Sequence, residues 1–151
     1  MVPKHVLLQT KQFGGSPYFD QPDDAALTFH TLIDGDVIIF ATDGVWDNLS
    51  NQDILRVVSG EMQQAGAWSA DEGGIAPSPG LAVSTSTNNG GVQGVVARAV
   101  VARAKSASMN TKVDGPFAKE VQRLYPGDNY RGGKQDDIAV VVTLVANAQI
   151  D

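Results

Sequence analysis

The sequence predicts a mixed α/β chain with few strands. Two β-branched apolar runs, Val37 to Thr42 and Ile138 to Val145, have the length and composition of strands buried in a sheet. Three other stretches carry the spacing or the stop signals of helices. Between them, residues 66–94 are rich in Gly, Ser, Pro, Asn and Thr and hold neither period.

From the N-terminus, Val6-Leu7-Leu8-Gln9-Thr10 reads as a short strand, followed by loop through the Pro/Asp stretch at Gln21 to Asp24. Phe29 to Ile33 and Val37 to Thr42 flank Asp34-Gly35-Asp36, and an Asp-Gly turn between two apolar runs predicts a β-hairpin. Ser50 stands three residues ahead of Asp53, an N-cap hydroxyl with an acid in the first turn, so a helix is expected from about Asn51 to Gln64. The Gly/Ser-rich segment that follows cannot bury enough apolar area to order itself, and a flexible insertion is expected at about 66–94. Val92, Val95, Val96, Ala99 and Val100 recur at helical spacing, which predicts a second helix to about Ala107. Pro116 opens a third helix that runs to about Leu124 and is stopped by Pro126-Gly127. Ile138 to Val145 is then expected to be a strand covered on both faces.

Composition excludes several function classes. A net charge of -6, from 17 acidic against 11 basic residues, is wrong for a protein that binds a phosphate backbone, so nucleic acid is not an expected partner. With no cysteine, disulfide frameworks, thiolate zinc sites and thiol redox chemistry are ruled out, and this usage suits an intracellular compartment. The apolar runs fall well short of the roughly 20 residues a membrane-spanning helix needs. The first residues, Met1-Val2-Pro3-Lys4-His5, carry neither a secretory nor a transit pattern.

The chemistry concentrates where the two apolar strands meet polar residues. Asp43 follows Thr42, and Asp136 and Asp137 precede Ile138. If the strands pair antiparallel, Asp43 and Asp136 project from one edge of the sheet. Neighbouring carboxylates repel unless one is protonated or a hard cation neutralises them, and the natural candidate here is an all-oxygen site for magnesium or manganese. Gly44 permits a tight turn and leaves room for a ligand, and Asp47 could add a third carboxylate at the rim. The plainer reading stands beside it: Asp-Gly after a strand is commonly only a turn, and Asp136-Asp137 could be turn residues and an edge charge. Spacing alone does not choose between them.

The words around these aspartates are more specific. The run from Gly35 to Asn48, containing Ala41-Thr42-Asp43-Gly44-Val45-Trp46-Asp47, resembles the motif of the type 2C, PPM-family metal-dependent protein serine/threonine phosphatases. Gly132-Gly133-Lys134-Gln135-Asp136-Asp137-Ile138 resembles that family's last motif, and with Gly115-Pro116-Phe117-Ala118 it is closest to a small fungal and animal branch associated with mitochondria. The resemblance spans Val6 to Ala65 and Val92 to Val145. It implies that residues 1–151 are the C-terminal part of one phosphatase domain, within an α-β-β-α sandwich of antiparallel sheets flanked by helices. It further implies that Asp43 and Asp136 are ligands of a centre of two Mg2+ or Mn2+ ions that activates a water for attack on phosphoserine or phosphothreonine, with Asp47 at an additional, weaker metal site and Asp137 beside the ligand. The expected partner is a phosphoprotein substrate, and mitochondria and cytoplasm are the compartments in view.

The departures define a second expectation. The family's early Asp-Gly-x-x-Gly, its phosphate-holding Arg and its general-acid His are not found in this sequence; Asp34-Gly35, Asp114-Gly115, His5 and His30 do not match them. A complete site therefore calls for an upstream half of the domain. The alternative is that the chain is a catalytically incomplete fragment, acting only as a weak metal-binding or interaction module. A calcium-loop protein is disfavoured, since no Asp-x-Asp-x-Asp-Gly loop with a terminal Glu occurs.

Overall fold

The computed structural model describes residues 28–78 and 90–146. The strand expected at 6–10 lies outside those residues. In chain order the elements are β1 (Val37–Ala41), α1 (Asp43–Trp46), α2 (Asn51–Gln64), β2 (Trp68–Asp71), β3 (Gly74–Pro77), α3 (Gly91–Ser108), α4 (Pro116–Leu124) and β4 (Val140–Leu144). The architecture is mixed helix and antiparallel sheet, as the sequence predicts.

β1 and β4 pair antiparallel, with Val37 opposite Leu144 and Ala41 opposite Val140. Strand alternation gives this ribbon two unlike faces. Val37 and Ile39 are buried, and Val140, Val142 and Leu144 pack beside them against the core. On the opposite face Phe40 and Val141 are 43% and 61% exposed. The expectation that the last strand is covered on both faces therefore fails for the described residues: its apolar run is continuous in sequence but alternates in burial.

Two helices close the inner face. α2 presents Ile54, Val58 and Met62, and α3 presents Val92, Val96, Val100 and Ala104, each set recurring every fourth residue and all buried. The two helices pack on one another, and α3 also packs on β4. Burying each large apolar side chain contributes about 1.5–3 kcal/mol relative to leaving it in water. α2 starts where the sequence indicates: Ser50 and Asp53 cap each other's backbone N–H groups in a reciprocal capping box. α4 begins at Pro116 and ends at Leu124, also as expected.

Two expectations are corrected. Phe29 to Ile33 form no strand, and β1 takes β4 as its partner in place of a hairpin. The Asp34-Gly35 turn does form, but its neighbours hook onto the end of β4: Gly35 N–H donates to Val145 O (2.9 Å) and Val145 N–H donates to Asp36 O (2.8 Å). The segment beginning at Ala65 is not irregular throughout. β2 and β3 form a hairpin, tightened by Gly73 N–H donating to the Asp71 carboxylate (2.8 Å). Trp68 anchors it, 3% exposed, with its indole N–H donating to Gly35 O (3.1 Å). Trp68, with Ala67 and Ile75 beside it, ties the hairpin to the core. Residues 79–89 of the expected insertion lie outside the described residues. No described helix is long and apolar enough to cross a membrane.

Candidate metal centre

The antiparallel register brings the C-terminal end of β1 beside the approach to β4, and Thr42 stitches the two together. Its N–H donates to Ala139 O (3.1 Å), its hydroxyl donates to Asp137 O (2.8 Å), and the same oxygen accepts from Ala139 N–H (3.0 Å). Gly44 makes the approach possible. A Cβ at that position would strike the Asp137 carbonyl oxygen, so the space expected to admit a ligand is filled by the neighbouring backbone.

Asp43 opens α1 and Asp47 stands one helical turn later, so their side chains share a face. Asp136 joins them from the segment before β4. One carboxylate oxygen from each of Asp43, Asp47 and Asp136 lies within 4.8 Å of the others, the one such group of three among the described residues. All three are half-buried. The structure thus brings together the three aspartates singled out in the sequence. Asp137 does not join them; its carboxylate is exposed and its backbone carbonyl is the partner of Thr42. His30 is exposed and His5 lies outside the described residues.

A lysine that the sequence reading left without a role sits among the aspartates. The Lys134 ammonium lies 2.6 Å from Asp47 Oδ2, 3.0 Å from Asp136 Oδ2 and 3.9 Å from Asp43 Oδ2. It also stands 4.8 Å from the centroid of the Phe117 ring, which meets Tyr130 edge to face. The hydrogen bond to Asp47 holds the Lys134 ammonium well above the usual lysine range. The hydrogen bond from Lys134 holds Asp136 below the usual carboxylate range, aided by the Asp137 N–H. Ionised, the three carboxylates and one ammonium leave the cluster with an excess of two negative charges.

Asn48 fixes the lysine's backbone. Buried at 4% exposure, it donates from Nδ2 to Lys134 O (2.7 Å) and to Gly44 O (2.8 Å), and its Oδ1 accepts from Lys134 N–H (2.8 Å). Asp47 is held from the other side, where Phe117 N–H at the start of α4 donates to its carbonyl (3.0 Å). Thr42, Asn48 and Lys134 all lie inside the two quoted motifs. Their jobs depend on contacts across 86 to 97 residues of chain, which a linear reading does not display.

The other Asp-Gly pair has a different fate. Asp114 accepts from Gly132 N–H (2.7 Å), Gln122 Nε2 (3.0 Å) and Arg131 (3.0 Å). The Gly132 N–H, foremost among these, lowers its carboxyl to about 2. Its oxygens are spent on closing the 114–132 loop.

The donor set fits a hard divalent cation: oxygen only, anionic, convergent, and already coordinated around a positive charge. These side chains would hold such an ion through Asp43 and Asp47 at the two ends of α1 and Asp136 on the approach to β4.

No family model matches the chain. It is 30% identical over 133 residues to the protein phosphatase PTC7 homolog fig of Drosophila melanogaster, a match that covers 86% of this chain and 33% of that protein. It is 29% identical over 145 residues to the mitochondrial protein phosphatase 2C homolog 7 of Saccharomyces cerevisiae, covering 96% of this chain and 35% of the relative. A probable protein phosphatase 2C of rice, BIPP2C1, is 31% identical over 120 residues. The chain spans about a third of the length of the first two relatives. Among solved structures, the photosystem II phosphatase PBCP superposes with a TM-score of 0.60 at 22% identity, covering 96% of this chain and 50% of that one. Over most of its length this chain is a homologue of the type 2C protein phosphatases, and it shares their α+β fold.

Proposed function

We propose that residues 1–151 form the C-terminal part of a phosphatase domain that hydrolyses phosphoserine and phosphothreonine in proteins, with Asp43, Asp136 and Asp47 holding Mg2+ or Mn2+. The convergence of three carboxylates from two distant chain segments carries this reading. Divalent cations, when bound there, supply Lewis-acid polarisation of a phosphoryl group and acidify water. The chain's own part is to keep the ligand oxygens aimed at one point. Thr42 locks the two segments in register, Asn48 and Phe117 hold the backbones of Lys134 and Asp47, and the β1–β4 ribbon keeps the spacing rigid.

Two observations support the need for further sequence in a complete domain. The chain covers between 16% and 50% of the proteins compared above, and the outer face of the β1–β4 ribbon leaves Phe40 and Val141 uncovered, as half of a two-sheet sandwich would. The yeast relative's name places that protein in mitochondria, and the same compartment is proposed here. The test joins the upstream portion of a relative to this chain and assays a phosphothreonine peptide with Mn2+. Turnover that Asp43→Asn and Asp136→Asn each abolish is the expected result; turnover indifferent to both would defeat the reading.

The same coverage favours a second reading for the chain by itself, a catalytically incomplete module that binds metal weakly. Calorimetric titration of the 151-residue chain with Mn2+ separates the two: weak binding without turnover is expected from the module, whereas micromolar affinity with turnover contradicts it.

A further inference from the structure

We infer that Lys134 is a built-in occupant of the aspartate cluster, and that a divalent cation enters only by exchange with its ammonium group. The inference rests on the proposed metal site and adds to it what the carboxylates hold beforehand. The Lys134 ammonium reaches all three of Asp47, Asp136 and Asp43, at 2.6, 3.0 and 3.9 Å. A divalent ion held by these carboxylates would take the place where they converge, which the ammonium now fills. Two cations with three positive charges between them would then be crowded among the same carboxylates, so the ammonium has to leave.

The local structure separates the part that moves from the part that stays. Asn48 grips both the N–H and the carbonyl of Lys134, so the backbone is fixed and the exchange belongs to the side chain. That side chain is 28% exposed, which leaves it a path toward solvent. The Phe117 ring, 4.8 Å from Nζ and braced by Tyr130, borders that path with a π-face on which the ammonium can rest.

Exchange has two opposite consequences. With no metal bound, the ammonium keeps three mutually repelling carboxylates converged, so the site is assembled in advance. Its contacts must be given up on loading, so it weakens metal affinity. Giving up these ion pairs, whose worth near a surface is small, corresponds to a penalty on the order of tenfold in binding.

The experiment titrates the 151-residue chain and its Lys134→Met and Lys134→Gln variants with Mn2+ by calorimetry. Alongside, the wild-type chain is pulse-labelled with acetic anhydride, with and without saturating Mn2+, and modification at Lys134 is read by mass spectrometry. Exchange predicts about tenfold tighter Mn2+ binding in both variants and faster acetylation of Lys134 when Mn2+ is bound. Variants that bind Mn2+ equally or more weakly than a wild type that does bind it would overturn the exchange and leave the metal site standing. Acetylation that Mn2+ slows or leaves unchanged would do the same, and this readout needs no variant to fold. Absence of Mn2+ binding in all three proteins would sink the metal site and the exchange together.

Discussion

Asp43-Gly44 and Asp114-Gly115 are the same dipeptide at the start of a helix, yet the molecule uses them in opposite ways. Asp114 has a dedicated donor for each oxygen, namely the Gly132 N–H, Gln122 and Arg131. Asp43 instead stands in a group of three carboxylates that share the Lys134 ammonium, and that group stays anionic. A carboxylate whose acceptors are filled by its own loop has nothing left for a ligand. A set of carboxylates held together against their mutual repulsion is a set that a cation can stabilise. Partner accounting, more than the dipeptide, separates a turn from a site.

The sharpest way to break that distinction is to neutralise each aspartate in turn within a protein that carries the upstream portion of a relative. Asp43→Asn or Asp136→Asn should cut phosphatase activity by about 100–1,000-fold, the loss of several kcal/mol of charge stabilisation. Asp114→Asn in the same protein should leave Mn2+ affinity unchanged. Steady-state rates on a phosphothreonine peptide, together with Mn2+ titrations, check both arms. Equal losses at Asp43 and Asp114 would erase the contrast.

Asn48→Ala probes what holds the cluster together. The substitution leaves the Lys134 N–H and the Gly44 carbonyl without partners in a buried place, at a cost of about 1–3 kcal/mol. Urea denaturation should show the midpoint fall with little change in slope. Mn2+ affinity should fall as well, because the backbone that positions the Asp136 carboxylate, two residues beyond Lys134, is no longer fixed. A variant as stable as the wild type would mean that the strand pairing alone maintains the site.

What could be read from the sequence follows the range of the forces involved. α2 and α4 were legible to the residue, because Ser50 with Asp53 and Pro116 with Leu124 are local signals. The three aspartates were legible as candidates because β1 and β4 end beside them, and one assumption about strand direction brings them together. The Phe29 to Ile33 strand was misjudged, since the Asp34-Gly35 turn fits a local hairpin equally well and the competing partner, Val145, lies 110 residues away. The β2–β3 hairpin is hidden by its short strands of mostly small residues, although Trp68 is a signal that something there is buried. The role of Lys134 could not be read at all. It requires knowing that residues 43, 47, 117 and 136 surround one ammonium.

The smallest effect expected is the acid titration of Asp114, and it sharpens the comparison from the structural side. The Gly132 N–H, Gln122 and Arg131 hold this carboxyl at about 2, against 3.8 for the unperturbed group. A carboxyl with a lowered folded-state value stabilises the fold at pH above its unfolded value, and the contribution disappears as pH falls through the folded one. The window is therefore about pH 4 down to about pH 2. Asp136, Asp53 and Glu120 are lowered too, so all four titrations weaken the fold in the same direction on acidification. The share of Asp114 is isolated by difference: thermal midpoints of wild type and Asp114→Asn should lie apart at neutral pH and converge as pH approaches 2. Saturating Mn2+ should raise both midpoints at neutral pH and leave the gap between them in place, because the metal acts on the other cluster. A gap that closed on adding Mn2+ would show the two aspartate sites to be one coupled system.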